Sequence, residues 1–153
     1  MKQRIYIDTS VAGGYFDKEF SDGSKKFFQM AMNGEVVIII SSILEAEIID
    51  APIKVQRLIE GLPQNYIEKV STSDKAIALA EKYIKAKVVG KTSLADCLHI
   101  AIATLAKADL LVSWNFKHIV NVQRINGYNS VNLECGYKII DIRTPMEVLR
   151  YEK

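Results

Sequence analysis

Arg4-Ile5-Tyr6-Ile7-Asp8-Thr9-Ser10 decides how the rest of the chain is read. Ile5, Tyr6 and Ile7 are β-branched or aromatic and run apolar without alternation, the pattern of a strand covered on both faces. The run stops on Asp8, and two small hydroxyl residues suited to a helix start follow it. In open α/β sheets the carboxyl edge of the strands is where ligands bind. Asp8 therefore marks a candidate site, and polar residues just past other apolar strands are its candidate companions.

Further strands are Val36–Ile40, apolar throughout, and Leu110–Ser113, with a weaker candidate at Tyr66–Val70 and a last one at Lys138–Ile142. Helical patterns fill the intervals. One starts at Thr9 and is loosened by Gly13-Gly14; another covers Lys25–Asn33 behind the cap-type residues Asp22 to Ser24. Ser41 or Ser42 caps Ile43–Ala51, Pro52 interrupts, and Ile53–Glu60 continues. Ser73 caps a helix with Ile77, Leu79, Ala80, Tyr83 and Ile84 at helical spacing; Thr92 or Ser93 opens Leu94–Lys107; Val122–Leu133 follows. Thr144, Pro145 and Glu147 stand at cap, first-turn and capping-box positions of a final helix. Strands alternating with helices predict a three-layer α/β/α sandwich with a mostly parallel central sheet and right-handed crossovers. Without repeats, linkers or low-complexity segments, residues 1–153 read as a single domain.

Composition bounds the function. Hydrophobic residues at 49% and charged residues at 25% describe a globular protein and exclude disorder. The formal net charge of +2 permits a nucleic-acid partner without arguing for one, so any such site is local. Cys97 and Cys135 are too far apart in sequence for a metal knuckle or redox pair and read as two buried thiols in a reducing compartment. No signal segment precedes the first strand, and the apolar run at Val36–Ile40 is too short to span a bilayer. A cytoplasmic protein with no membrane association is expected.

The chemistry lies past the strand ends. Asp8 follows the first strand, Glu45 and Glu47 lie in the helix after the second, and Ser113, Trp114 and Asn115 follow the third. Asp96 stands near the start of the long helix. Parallel strands end on the same side, so Asp8, one of the two glutamates, Asp96 and Asn115 converge. Packed carboxylates repel, and a hard divalent cation removes that cost. Mg²⁺ or Mn²⁺ fits such a set and needs neither His nor Cys.

Four stretches carry a resemblance: Ile5-Tyr6-Ile7-Asp8-Thr9-Ser10, Ser41-Ser42-Ile43-Leu44-Glu45-Ala46-Glu47-Ile48, Ala95-Asp96-Cys97-Leu98-His99-Ile100-Ala101 and Leu110-Leu111-Val112-Ser113-Trp114-Asn115-Phe116. In that order they resemble PIN-domain ribonucleases, most of all VapC-type toxins and their stand-alone relatives. The resemblance implies Asp8, Glu47 and Asp96 as acids holding Mg²⁺ or Mn²⁺ for hydrolysis of RNA phosphodiester bonds, Glu47 being favoured over Glu45 by the Ala-Glu-Ile match. It places Asn115 where the family often has a fourth acid. It further implies Thr9, Ser10 and Ser113 as hydrogen-bonding phosphate or outer-shell water, a cognate antitoxin as partner, and a homodimer; Lys117, a neighbour of the site in sequence, is a candidate RNA contact.

Blander roles stand beside these. Asp8 could cap the helix after it, and Asn115 a turn. Asp96 at a helix start is favoured by the helix dipole alone. His99, one turn on from Asp96, suits packing or support of a ligand better than ligation. Trp114 could stack a base or pack against the last helix, and Lys91, Lys117 and His118 neighbour the site in sequence. No Gly-x-Gly-x-x-Gly follows the first strand and no phosphate-loop Gly-Lys-Ser/Thr occurs, which disfavours nucleotide binding. Ser10 stands where a phosphoaspartyl hydrolase would want a second Asp. The competing function is a non-catalytic PIN-like module that binds RNA or protein.

Overall fold

The computed structural model describes residues 1–90 and 93–151; Lys91 and Thr92 lie outside them. Five strands, β1 (Arg4–Ile7), β2 (Val37–Ser41), β3 (Ile67–Val70), β4 (Leu110–Val112) and β5 (Ile142–Arg143), form one sheet in the order β3-β2-β1-β4-β5. Every pairing is parallel. Helices α1 (Thr9–Gly14), α2 (Ser21–Met32), α3 (Ser42–Ile49), α4 (Ile53–Glu60), α5 (Asp74–Lys85), α6 (Leu94–Leu105), α7 (Val122–Glu134) and α8 (Pro145–Tyr151) make the connections.

The three layers follow from the two-residue period of a strand. Ile5 and Ile7 point into a core shared with Phe27, Phe28 and Leu44 from the helices on that face. Tyr6 points the other way, with Ile39 and Leu111, into a second core built with Tyr83, Ile100 and Tyr128. A strand buried on both sides has no polar face to show, which is why it reads as an unbroken apolar run.

Strand order positions the site. From β1 the chain moves outward through β2 to β3, then returns to the far side of β1 for β4 and β5. The order reverses between β1 and β4, and the carboxyl ends of strands at such a switch point are where ligands bind in open α/β sheets. The pairing of Ile7 with Val112 puts Asp8 level with Ser113 across that switch point.

Several expected boundaries move, two of them by more than two residues. α2 begins at Ser21 rather than Lys25. The last strand, expected at Lys138–Ile142, contracts to Ile142–Arg143. Its missing part is paired by a side chain: Asn129 Nδ2 donates to the Ile140 carbonyl at 3.1 Å, and the Ile140 N–H donates to Asn129 Oδ1 at 2.8 Å. One amide thus meets both backbone groups that a neighbouring strand would have met. Of the two cysteines, Cys97 is buried and Cys135 half-buried, and both are free.

Trp114 stitches the end of β4 to the first helices. Its ring stacks on Phe20 at 4.6 Å, and its Nε1 donates to Ser24 Oγ at 2.8 Å. Gly14 lets it in: a Cβ there would lie 2.7 Å from the indole and 2.9 Å from Ser24 Oγ. Gly14→Ala is therefore expected to cost about 2 kcal/mol through overpacking, a fall in melting temperature of roughly 4–8 °C. Gly13 has nothing within 4 Å of its would-be Cβ, so Gly13→Ala is the control and should melt no lower than the parent in the same thermal scan.

Candidate active site

Asp8 is 4% exposed at the end of β1. Its Oδ1 accepts from Ser10 Oγ and its Oδ2 from Ser113 Oγ, both at 2.6 Å. It makes no side-chain hydrogen bond as a cap for α1, so helix capping does not account for it. Ser10 Oγ in turn accepts from the Trp114 N–H, and Ser113 Oγ from the Asn115 N–H, each at 2.9 Å. Both hydroxyls therefore have donor and acceptor sides engaged in holding Asp8. Burial pushes the Asp8 carboxyl above its ordinary range, His99 and the two serines pull it back, and Asp96 raises it further.

Glu47 comes from α3, one turn inside a helix whose cap, Ser41 Oγ, accepts from the Leu44 N–H at 3.1 Å. Glu47 Oε1 accepts from Thr9 Oγ1 at 2.6 Å and pairs with His99 Nε2 at 2.7 Å. The hydrogen bond from His99, followed by that from Thr9, outweighs partial burial and holds the Glu47 carboxyl below its ordinary range. Glu45 faces elsewhere, with Lys69 Nζ 3.3 Å from its carboxylate. The two-residue spacing on a helix separates them, as it must.

Asp96, in the first turn of α6, is half-buried, and its Oδ1 accepts from Asn115 Nδ2 at 3.1 Å. Burial raises its carboxyl; His118, then His99, then the Asn115 hydrogen bond act downward, and Glu47 acts upward. Asn115 serves two ends at once, since its Oδ1 also accepts from the His118 N–H at 3.0 Å. It is both a turn cap and a contact of a site acid. Lys117 is exposed. Trp114, weighed as a base-stacking residue, is 8% exposed and its ring is covered.

Asp8 and Glu47 thus follow strand ends on one side of the sheet; the Asp96 charge acts on Asp8, and the Glu47 charge on Asp96. They do not close into a ready-made cage. Among the described residues no three His, Cys, Asp or Glu side chains are arranged to hold a metal ion; each carboxylate is drawn onto donors of its own. The second oxygens, Glu47 Oε2 and Asp96 Oδ2, accept no hydrogen bond among the described residues.

Tyr6 was not visible from sequence as part of this site. Its hydroxyl lies 2.8 Å from Ser41 Oγ and 2.6 Å from His99 Nδ1, all three groups being buried. A strand tyrosine among isoleucines carries no signal beyond burial. His118, read as a neighbour in sequence, lies close enough to draw the Asp96 carboxyl downward, and its Nδ1 is buried with no hydrogen bond among the described residues.

The PIN domain family model matches residues 5–118. The chain belongs to the PIN domain family. The matched span of this PIN domain runs from β1 to the turn after β4 and contains all three acids and Asn115. No curated protein matches the chain significantly. Among solved structures, the domain is similar in fold to VapBC2 from Rickettsia felis bound to a DNA fragment from their promoter, with TM-score 0.59, 17% identity, and coverage of 93% of this chain and 98% of that one. FitAB bound to an IR36 DNA fragment gives TM-score 0.56 at 15% identity, covering 92% and 94%. FitAcB from Neisseria gonorrhoeae gives 0.54 at 14%, covering 93% and 98%. At these identities the likeness establishes the fold.

Proposed function

We propose that this PIN domain is an endoribonuclease that hydrolyses RNA phosphodiester bonds with Mg²⁺ or Mn²⁺, and that it acts as a VapC-type toxin. One observation carries the reading. Asp8 and Asp96 are withdrawn from water at the sheet's switch point with their carboxyls pushed upward, while Glu47 beside them is held ionised. An arrangement that raises the energy of its own charged form is costly to keep for structure alone and suits a site that binds positive charge.

The donor set fits a hard divalent ion. Its three acids offer oxygens only, the donors that hard divalent cations take. Asp8, Glu47 and Asp96 would hold the ion directly or through water. When bound, the ion supplies Lewis acidity toward the phosphoryl oxygen and an activated water. Ser10 and Ser113 fix the Asp8 carboxylate, Thr9 and His99 fix Glu47, and Asn115 fixes Asp96. Exposed Lys117 is assigned to the RNA backbone. The phosphate-contact role read for Thr9, Ser10 and Ser113 becomes one of presenting carboxylates.

Partners follow from the same reading. VapBC2 and FitAB are complexes bound to DNA fragments, and we assign this chain an antitoxin that masks the site, a homodimeric state and a cytoplasmic place of action. A monomer by light scattering would overturn the dimer. The second reading, a non-catalytic binding module, is favoured by Asn115, which brings an amide and no charge to Asp96. The deciding experiment is cleavage of a structured RNA with Mg²⁺ or Mn²⁺, with EDTA and Asp96→Asn as controls. Cleavage lost under both supports the nuclease; cleavage that survives both is not this site's. No cleavage of any RNA, together with no metal binding, establishes the binding module instead.

A further inference from the structure

We infer that His99, set by Tyr6, is the positioning residue that presents Glu47 to the cation, through a buried hydrogen-bond chain running Ser41–Tyr6–His99–Glu47. The inference rests on the proposed metal-dependent reading and adds to it residues that are not themselves ligands.

The chain crosses four elements. Ser41 ends β2, Tyr6 belongs to β1, His99 to α6 and Glu47 to α3. The successive distances are 2.8, 2.6 and 2.7 Å. Tyr6 and Ser41 are 0% exposed and His99 3%, so water cannot substitute for any link. Only the last member reaches solvent, the Glu47 side chain being 38% exposed.

The direction of the last bond follows from its partners. The Tyr6 O–H donates to Ser41 Oγ, and the imidazole bridges Tyr6 and Glu47 with its two nitrogens. A carboxylate oxygen only accepts, so Nε2 is the donor to Glu47 Oε1. The imidazole also packs edge-to-face on the Tyr6 ring, centroids 5.7 Å apart at 69°, and turning the ring over would put carbon where each bonded nitrogen stands.

The consequence is geometric. A half-exposed glutamate loses rotamer freedom when it is held in one pose, so donors that fix it in advance spare that cost when a cation binds. Here two donors, Thr9 Oγ1 and His99 Nε2, converge on Oε1 and leave Oε2 as the oxygen without a protein hydrogen bond among the described residues. Partners that orient a ligand in this way change metal affinity by roughly 10–100-fold when removed.

The two ring nitrogens have separable jobs, and two amide substitutions separate them. His99→Gln places an amide where Nε2 stood and keeps a donor for Glu47. His99→Asn places one where Nδ1 stood and keeps only the bond to Tyr6. Mn²⁺ affinity is measured by titration with electron paramagnetic resonance of the free ion, with Asp8→Asn as the site control and Glu45→Gln as the off-site control. We expect His99→Asn to weaken binding about 10–100-fold, and His99→Gln to stay within about threefold of the parent. Equal losses in the two variants, or parent-like binding by His99→Asn, would overturn the inference while leaving the nuclease reading intact. If the parent itself binds no Mn²⁺ that Asp8→Asn removes, the nuclease reading falls and the inference with it. Should His99→Asn fail to fold, the ring nitrogens of the parent are read directly by long-range ¹H–¹⁵N correlation. A protonated Nε2 whose signal moves in Glu47→Gln supports the chain, and a bare Nε2 facing Glu47 refutes it.

Discussion

Asp8→Asn is expected to abolish metal-dependent RNA cleavage and, at the same time, to make the protein harder to unfold. The loss of activity follows from removing a full negative charge from the residue at the switch point. Stabilisation of transition-state charge by a bound metal amounts to several kcal/mol, and about 1.4 kcal/mol is a factor of ten in rate, so a fall of 100-fold or more is expected. The gain in stability follows from burial. Asp8 is 4% exposed, and burial is the first cause of its raised pKa. A raised pKa means that the folded state binds the proton more tightly than the unfolded chain does. The stability this represents is fully present below the unfolded value, near ~3.9, and is lost as pH rises through the higher folded value. Asparagine has no proton to lose and escapes that loss. The variant should therefore exceed the parent by about 1–2 kcal/mol at neutral pH, or roughly 3–6 °C in melting temperature, with the advantage shrinking toward ~pH 3.5, where Asp8 is protonated in both states. Thermal scans from acid to neutral pH check this. A variant advantage that grows on acidification would show that burial is not what sets the Asp8 carboxyl.

Asn115→Asp is expected to act oppositely and to make the fold depend on metal. Asn115 Nδ2 now donates to Asp96 Oδ1 at 3.1 Å. An aspartate keeps the acceptor that the His118 N–H needs, but sets a second carboxylate against the first. Two like charges at that range drive one pKa sharply upward. Without divalent cations the variant should melt lower than the parent by roughly 3–6 °C, about 1–2 kcal/mol, and the deficit should widen with rising pH as the pair is forced to ionise. Mn²⁺ should remove the deficit, because a ligand that binds only the folded state stabilises it by ~2.7 kcal/mol at a hundred times its Kd. The measured quantity is the Mn²⁺-induced shift in melting temperature. If that shift is no larger in the variant than in the parent, Asp96 and residue 115 do not face a common cation.

How much of this could be read beforehand depended on whether a residue's signal was local. Asp8 was legible because an apolar run stops on it, and Glu47 because the small-acid-aliphatic pattern separated it from Glu45, which pairs with Lys69 instead. The parallel sheet was legible because strands buried on both faces have a distinctive composition. Three features depended on contacts distant in sequence. The Tyr6 hydroxyl meets a histidine 93 positions away, and no window around Tyr6 contains that fact. The missing half of the last strand is satisfied by Asn129, whose amide stands in for a strand backbone. The looseness of the carboxylates comes from Thr9, Ser10, Ser113 and Asn115 each taking a carboxylate oxygen; the sequence showed the hydroxyls but not which way they would turn.

The placement of β1 at the middle of the sheet also sets an order of events during synthesis. β1 is made first, yet one of its two neighbours is β4, and the Ser113–Asp8 contact closes a loop of 105 residues. Contacts so far apart in sequence form late, because the loop entropy precedes any return from the contact. Until residues 110–112 arrive, β1 has one flank unpaired, an apolar edge of the kind that templates aggregation. For the same interval Asp8 lacks Ser113, and Asp96 lacks Asn115. A nascent chain therefore carries its acids long before their partners exist. The acidic edge assembles only once Asn115 has been made, so a chain cut short before it is a hazard to solubility.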